Sequence, residues 1–287
     1  MGRDTSGWLS GLAGVVIFSG SLPATRVAVM DFEPVFLTAA RAVIAGLLAA
    51  GLLAMGHRTR PDRQDLLPLA LVAMGVVVGF PLLTALALQR VTSAHSIVFI
   101  GVLPLVTALF GVLRAGERPR PAFWLFSILG ATAVGGFALA QGLSASVTGD
   151  LLMLAAVVVC GLGYAEGAQL SRKLGGWQVI SWALVLAMPV MIPLMLLRMP
   201  DSLAAVDTPA WIGLGYVSLF SMLIGFVFWY RGLSLGGIAA VGQLQLLQPF
   251  FGLALAASLL NEQVSALMLA ATLIVVACVA GARRFAR

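Results

Sequence analysis

Polar residues interrupt this chain so rarely that its hydrophobic positions form long continuous runs, with little of the alternation or one-sided periodicity of soluble elements. A helix rising about 1.5 Å per residue needs about 19 to 23 residues to cross roughly 30 Å of hydrocarbon. Runs of that size are bounded at 8–28, 34–55, 66–88, 91–113, 121–141, 150–170, 178–198, 210–230, 238–260 and 264–282. They predict an all-α membrane protein of ten transmembrane helices, because barrel strands would alternate apolar and polar positions. The connections are short, the longest being about ten residues at 56–65 and 199–209, which leaves no room for a separate soluble domain.

Composition sharpens this picture. With 61% hydrophobic and 10% charged residues and a mean hydropathy of +1.05, the chain is not a water-soluble domain with a polar surface, and the lipid bilayer is its first partner. Thirteen of the 17 Lys and Arg residues fall in alternate loops, at 3, 58–63, 114–120, 172–173, 231 and 283–287. Basic loops stay on the cytoplasmic side, so both termini are expected there. The net charge of +6 then reports orientation, and nucleic acid is not expected as a partner. Arg3 ahead of an apolar run resembles a signal peptide, but Gly7-Trp8-Leu9 at the start of helix 1 has a counterpart in Gly149-Asp150-Leu151 at helix 6, so helix 1 is expected to be kept.

A repeat organises the ten runs. Adding 145 to Ala94, Pro104 and Glu117 gives Ala239, Pro249 and Glu262, and the same shift carries Gly136 onto Gly281. Two five-helix units are expected, residues 1–141 and 150–287, joined by a loop at 142–149. Five is odd, so the second unit enters the membrane upside down relative to the first. Inverted repeats of this kind enclose a cavity near the midplane and expose it to either side in turn.

The candidate chemistry lies inside the spans. His95 is able to bind a substrate or titrate, or else to make an interhelical hydrogen bond; it shares a helix face with Phe99 and Leu103. Gln245 and Gln248 are i, i+3 neighbours whose amides are costly against lipid, so they face protein, water or a zwitterionic substrate. Arg41 sits inside helix 2, where it either snorkels toward Asp31 and Glu33 or draws a carboxylate and holds a gate. Glu166 invites a proton-coupling role, with pairing to Arg172 or Lys173 as the ordinary alternative; Tyr164 points to another face. Phe18, Phe80, Tyr164 and Trp182 are aromatic candidates for the wall of a site, and Pro23, Pro81, Pro104 and Pro249 are candidate hinges.

Other chemistries find little support. Gly232-Leu233-Ser234-Leu235-Gly236 has the nucleophile-elbow spacing but links two membrane helices, with only His57 on that side. No metal-ligand cluster or nucleotide motif is present, so no catalytic residue, metal or cofactor is expected. Cys160 and Cys278 read as small apolar fillers. Gly75 to Gly79 and Gly163 to Gly167 have close-packing spacing, and the choice between monomer and homodimer stays open.

Thr92-Ser93-Ala94, Leu103-Pro104-Leu105, Gly116-Glu117-Arg118-Pro119 and Gly149-Asp150-Leu151-Leu152, with Ala239, Pro249 and Glu262, resemble the EamA-like members of the drug/metabolite transporter superfamily over the whole chain. Pro23-Ala24-Thr25-Arg26 and Arg41 look like those of bacterial exporters of amino acids, including the aromatic amino-acid exporter type. The resemblance implies a multi-pass protein of the bacterial inner membrane exporting neutral or aromatic amino acids and related small metabolites through a cavity lined by helices 1, 3, 4, 6, 8 and 9. Efflux of lipophilic drugs or cations is the alternative, and a membrane enzyme or sensor a distant one.

Overall fold

Continuous apolarity gives helices without a marked polar face, which are stable only when lipid or other helices surround them. The computed structural model describes residues 3–56, 59–116, 120–140 and 146–285, and among the described residues the chain is helical with no strand. Helix α1 spans Thr5–Ala28 and is broken at Gly20; α2 is Pro34–Met55, α3 Arg63–Leu88 and α4 Ser93–Arg114. Helix α5 is Pro121–Ala140, α6 Val147–Leu174, α7 Gly176–Leu197 and α8 Thr208–Gly236. Helix α9, Gln248–Leu260, is entered through turns at Ile238–Gly242 and Gln243–Leu247, and α10 is Ala266–Arg283. Seven of these (α1 to α4 and α6 to α8) are long and apolar enough to cross a membrane; α5, α9 and α10 carry the shorter apolar stretches Pro121–Gly130, Leu244–Leu260 and Ala266–Cys278. A multi-pass membrane protein follows.

Local signals set the helix ends. Glu33 accepts the Phe36 N–H at 3.0 Å, Thr92 that of His95 at 3.2 Å and Ser146 that of Gly149 at 3.2 Å, each satisfying an orphan donor of a first turn. Gly175 and Gly237, with φ of 86° and 88°, join α6 to α7 and α8 to the turns before α9 with no further linker. That is why α6 runs past the expected 150–170: Ser171, Arg172 and Lys173 continue the helix until a glycine ends it.

Backbone irregularities recur at the repeat offset. A π-helical stretch interrupts α3 at Ala73–Gly79 and another interrupts α8 at Val217–Ile224, 145 residues on within one residue. The 13-residue helix Leu103–Ala115, following a break in α4, and the 13-residue Gln248–Leu260 are displaced by the same 145. Each ends on a left-handed residue, Gly116 at φ 69° and Asn261 at φ 52°. Proline marks where α resumes at three of these four breaks, the one in α8 excepted: Pro81, Pro104 and Pro249 sit in the first turns after them, and Pro23 follows the break at Gly20, positions where a missing N–H costs no helix bond.

Packing respects the same exchange. Helix α1 lies on α8 and α3 on α6, α2 lies on α7, α5 on α10, and α4 on α9. Glycines permit the closest crossings: a Cβ at Gly75 would stand 2.6 Å from the Val159 carbonyl oxygen and 2.9 Å from Gly163 Cα, and one at Gly232 would stand 2.7 Å from the Gly11 nitrogen. The Gly75 and Gly163 motifs thus meet each other inside the chain. Glu117, His57 and linker residues 142–145 lie outside the described residues.

Candidate functional site: a central cavity

Where the π stretches of α3 and α8 face α1, α2, α4, α6 and α9, the helices leave a narrow internal cavity of about 20 Å³, room for about one water molecule. It is lined by Phe18, Ser21 and Leu22 of α1, Arg41 of α2, Val76 and Phe80 of α3, Leu103 of α4, Tyr164 of α6, Ser221 and Phe226 of α8, and Gln248 before Pro249. The helices expected to line a site all contribute, and α2 joins them through its arginine. Of the candidate residues, Phe18, Phe80, Leu103, Tyr164, Gln248 and Arg41 come together here.

The wall is aromatic on one side. Phe18 packs edge-on against Phe226 at 4.9 Å between ring centres and lies 6.4 Å from Tyr164, while Trp229 backs Tyr164 at 5.4 Å. The polar side centres on Arg41, which is 4% exposed. Its Nη2 donates to Ser221 Oγ at 3.2 Å, and Ser21 Oγ donates to the same oxygen at 2.7 Å. The Arg41 Nε is buried without a hydrogen-bond partner, as is Gln248 Oε1, whose amide Nε2 donates weakly to the Phe18 carbonyl at 3.5 Å. Gln245 is wholly buried beside Tyr164, and neither of its amide atoms meets hydrogen-bond geometry.

Snorkelling does not occur: Asp31 accepts the Asp207 N–H and Glu33 caps α2, so neither carboxylate reaches Arg41. Glu166 is also placed differently from expectation, accepting from Arg114 of α4, while Lys173 turns to Asp65 at 2.7 Å and Asp62 at 2.9 Å. The physical reason is reach. Arg114 ends a neighbouring helix packed on α6, whereas Lys173, seven residues further along, lies beside the acidic start of α3.

His95 and Phe99 stand away from the cavity lining, at the start of α4, with ring centres 5.6 Å apart. His95 Nε2 lies 2.7 Å from Asp150 Oδ1 of α6, in a buried pair. In the same turn, Glu262 accepts from Ser93 N at 3.2 Å, Ser93 Oγ at 2.7 Å and Ala94 N at 2.8 Å. The first turn of α4 is therefore tied to two elements of the second half, and a carboxylate sits on a helix N-terminus, where the dipole favours it. Trp182 is elsewhere again, donating to the Thr59 carbonyl at 3.2 Å.

Sequence reasoning missed Ser21, Ser221 and the partners of His95 and of the repeated Ala94. Serines inside apolar helices give no signal until a charge is placed beside them. Asp150 was visible as an acid at the opening of α6, and Glu262 as part of the repeat, but their partners lie 55 and 168 or 169 residues away.

Comparison with known proteins follows the same two-part layout. The EamA-like transporter family matches residues 5–139 and again residues 147–283. An uncharacterized transporter, YdeK of Bacillus subtilis (strain 168), is 65% identical over 287 residues, covering 100% of both chains. The uncharacterized inner membrane transporter YedA of Escherichia coli (strain K12) is 26% identical over 213 residues, covering 73% of this chain and 68% of its own. A crystal structure with 20% identity superposes at a TM-score of 0.72, covering 98% of this chain and 99% of that one, which is a likeness of fold.

Proposed function

The chain belongs to the EamA-like transporter family, and from that premise we propose that it is a secondary exporter of neutral or aromatic amino acids and related small metabolites, working by alternating access. In this reading all ten helices cross the bacterial inner membrane, both termini are cytoplasmic, and residues 1–141 and 150–287 are inverted repeats joined by 142–149. The recurrence of breaks, caps and helix pairings at one offset supports the repeat, and the two family matches support its boundaries.

The observation that carries the transport reading is the cavity itself. It is internal, receives side chains from both halves, and is walled by rings opposite a buried guanidinium and amides. Aromatic faces take an apolar body, while fixed donors take a charged head. The backbone breaks around it supply places where packed helices can rock. Efflux of lipophilic cations fits less well, because among the described residues no carboxylate lines the cavity and Arg41 repels positive charge.

Counterflow in proteoliposomes tests this. Vesicles preloaded with unlabelled phenylalanine or leucine should take up the labelled amino acid transiently and saturably, and protein-free vesicles should not. Saturable counterflow of organic cations alone would overturn the substrate assignment.

A further inference from the structure

A buried positive charge needs a counter-charge or a set of acceptors, and the cavity supplies less than Arg41 requires. Among the described residues the acids of the helix bundle are engaged elsewhere: Glu166 with Arg114, Asp150 with His95, Asp65 with Lys173, Glu262 on Ser93 and Ala94, Asp31 on Asp207 N and Glu33 on Phe36 N. Arg41 has one serine oxygen on Nη2 and no partner on Nε. Ser221 accepts both from Arg41 and from Ser21, which fills the two lone pairs of its hydroxyl and leaves its own proton free to donate. The guanidinium Nε–H and the Ser221 hydroxyl are thus two unused donors beside one fixed positive charge, in the wall of one cavity.

We infer that this is a carboxylate subsite: Arg41 and Ser221, the latter held in place by Ser21, bind the carboxylate of the cargo, and an ammonium group on the cargo is dispensable. A carboxylate offers two oxygens in a plane, matching a guanidinium edge and a neighbouring hydroxyl. Among the described residues nothing anionic lines the cavity to receive an ammonium, for which Gln248 Oε1 is a neutral acceptor only. Once the helices part to widen the space, a monoanion with an aromatic or branched body neutralises Arg41 and packs against Phe18, Phe80, Tyr164 and Phe226; an amine without the carboxylate adds a second positive charge to the same space. The inference rests on the transport reading only for the consequence that the bound acid is moved.

Three matched probes separate the groups: phenylalanine, 3-phenylpropionate, which lacks the ammonium, and 2-phenylethylamine, which lacks the carboxylate. Binding to the purified protein is followed by quenching of tryptophan fluorescence, since Trp229 touches the rings of Phe18 and Tyr164. The same probes then compete in counterflow. The acid should bind at least as tightly as phenylalanine and the amine roughly tenfold more weakly or worse, and Arg41→Gln should weaken both carboxylates roughly ten- to hundredfold. Arg41→Lys should recover part of that loss. An amine that binds as well as the acid, or an Arg41→Gln protein that binds carboxylates undiminished, overturns the inference, as does no binding by any probe. Should the variant not fold, the ranking of the three probes on the unaltered protein decides alone. Acid-led binding without counterflow would sink the transport reading and leave the subsite standing; counterflow led by the amine would do the reverse.

Discussion

The two halves of this chain share backbone devices and differ in the side chains they hang on them. At the 145-residue offset, π stretch answers π stretch, a 13-residue helix answers a 13-residue helix, and left-handed Asn261 answers Gly116. Around the cavity the same offset sets Arg41 against Leu186, Val76 against Ser221, Ile100 against Gln245, Leu103 against Gln248 and Ser21 against Glu166. The backbone features recur and the chemistry is one-sided. The breaks are needed twice because helices on both sides of the cavity must bend around it, whereas one arginine suffices to set its sign. The ends differ as well: His95 and Asp150 form a pair at the start of α4, and their offset partners Ala240 and Thr5 offer no such pair.

The largest effect should come from the shared shape. Valine at Gly75 or at Gly232 forces a Cβ against backbone across the α3–α6 or α1–α8 crossing. Each should lower stability by about 1 to 3 kcal/mol or more, read as a fall in melting temperature in detergent. Equal falls would say both crossings carry the same weight; an unchanged melt at either site would deny that crossing.

Breaking the one-sided chemistry comes next. Leucine at Gln245 and Gln248 makes the approach to α9 resemble its counterparts at Ile100 and Leu103. Counterflow should fall several-fold while the melting temperature holds or rises, because buried unpaired amides are removed. Undiminished counterflow would remove these amides from the site.

The unequal ends give a third test. His95→Ala leaves the Asp150 carboxylate buried without its partner, at a cost of about 1 to 3 kcal/mol to the closed first turn of α4. A cysteine placed at Ser221, with Cys160 and Cys278 replaced, should then react roughly tenfold faster with a thiol reagent added from the side of that turn. Ala240→Gly, at the equivalent place, should leave the rate alone. Identical rates in both variants would show that the pair does not close that end.

The smallest effect makes the two caps alike. Asn261 holds φ at 52°, a region that glycine enters freely, so Asn261→Gly should be neutral or stabilise by a few tenths of a kcal/mol, and Asn261→Ala should cost about 1 kcal/mol. A loss with glycine as large as with alanine would mean that the asparagine side chain, not the backbone, matters there.

What the sequence by itself determined is whatever depends on local composition. Apolar runs give membrane helices; Pro23, Pro81, Pro104 and Pro249 marked four places where they interrupt; and the offset carrying Ala94, Pro104 and Glu117 onto their counterparts made the internal repetition visible. Five of the six candidate residues that meet at the cavity could be picked out because an arginine, a glutamine or a large ring in an apolar helix is costly against lipid or conspicuous by size; the sixth, Leu103, was picked only for its face shared with His95. Only the tertiary structure decided the partners. Charges on helices distant in sequence pair by reach and packing, so Glu166 goes to Arg114 and His95 to Asp150, and Trp182 faces a loop carbonyl. Serines 21 and 221 acquire a role only because helices from opposite halves bring them to Arg41, a coincidence of three dimensions with no signature in one.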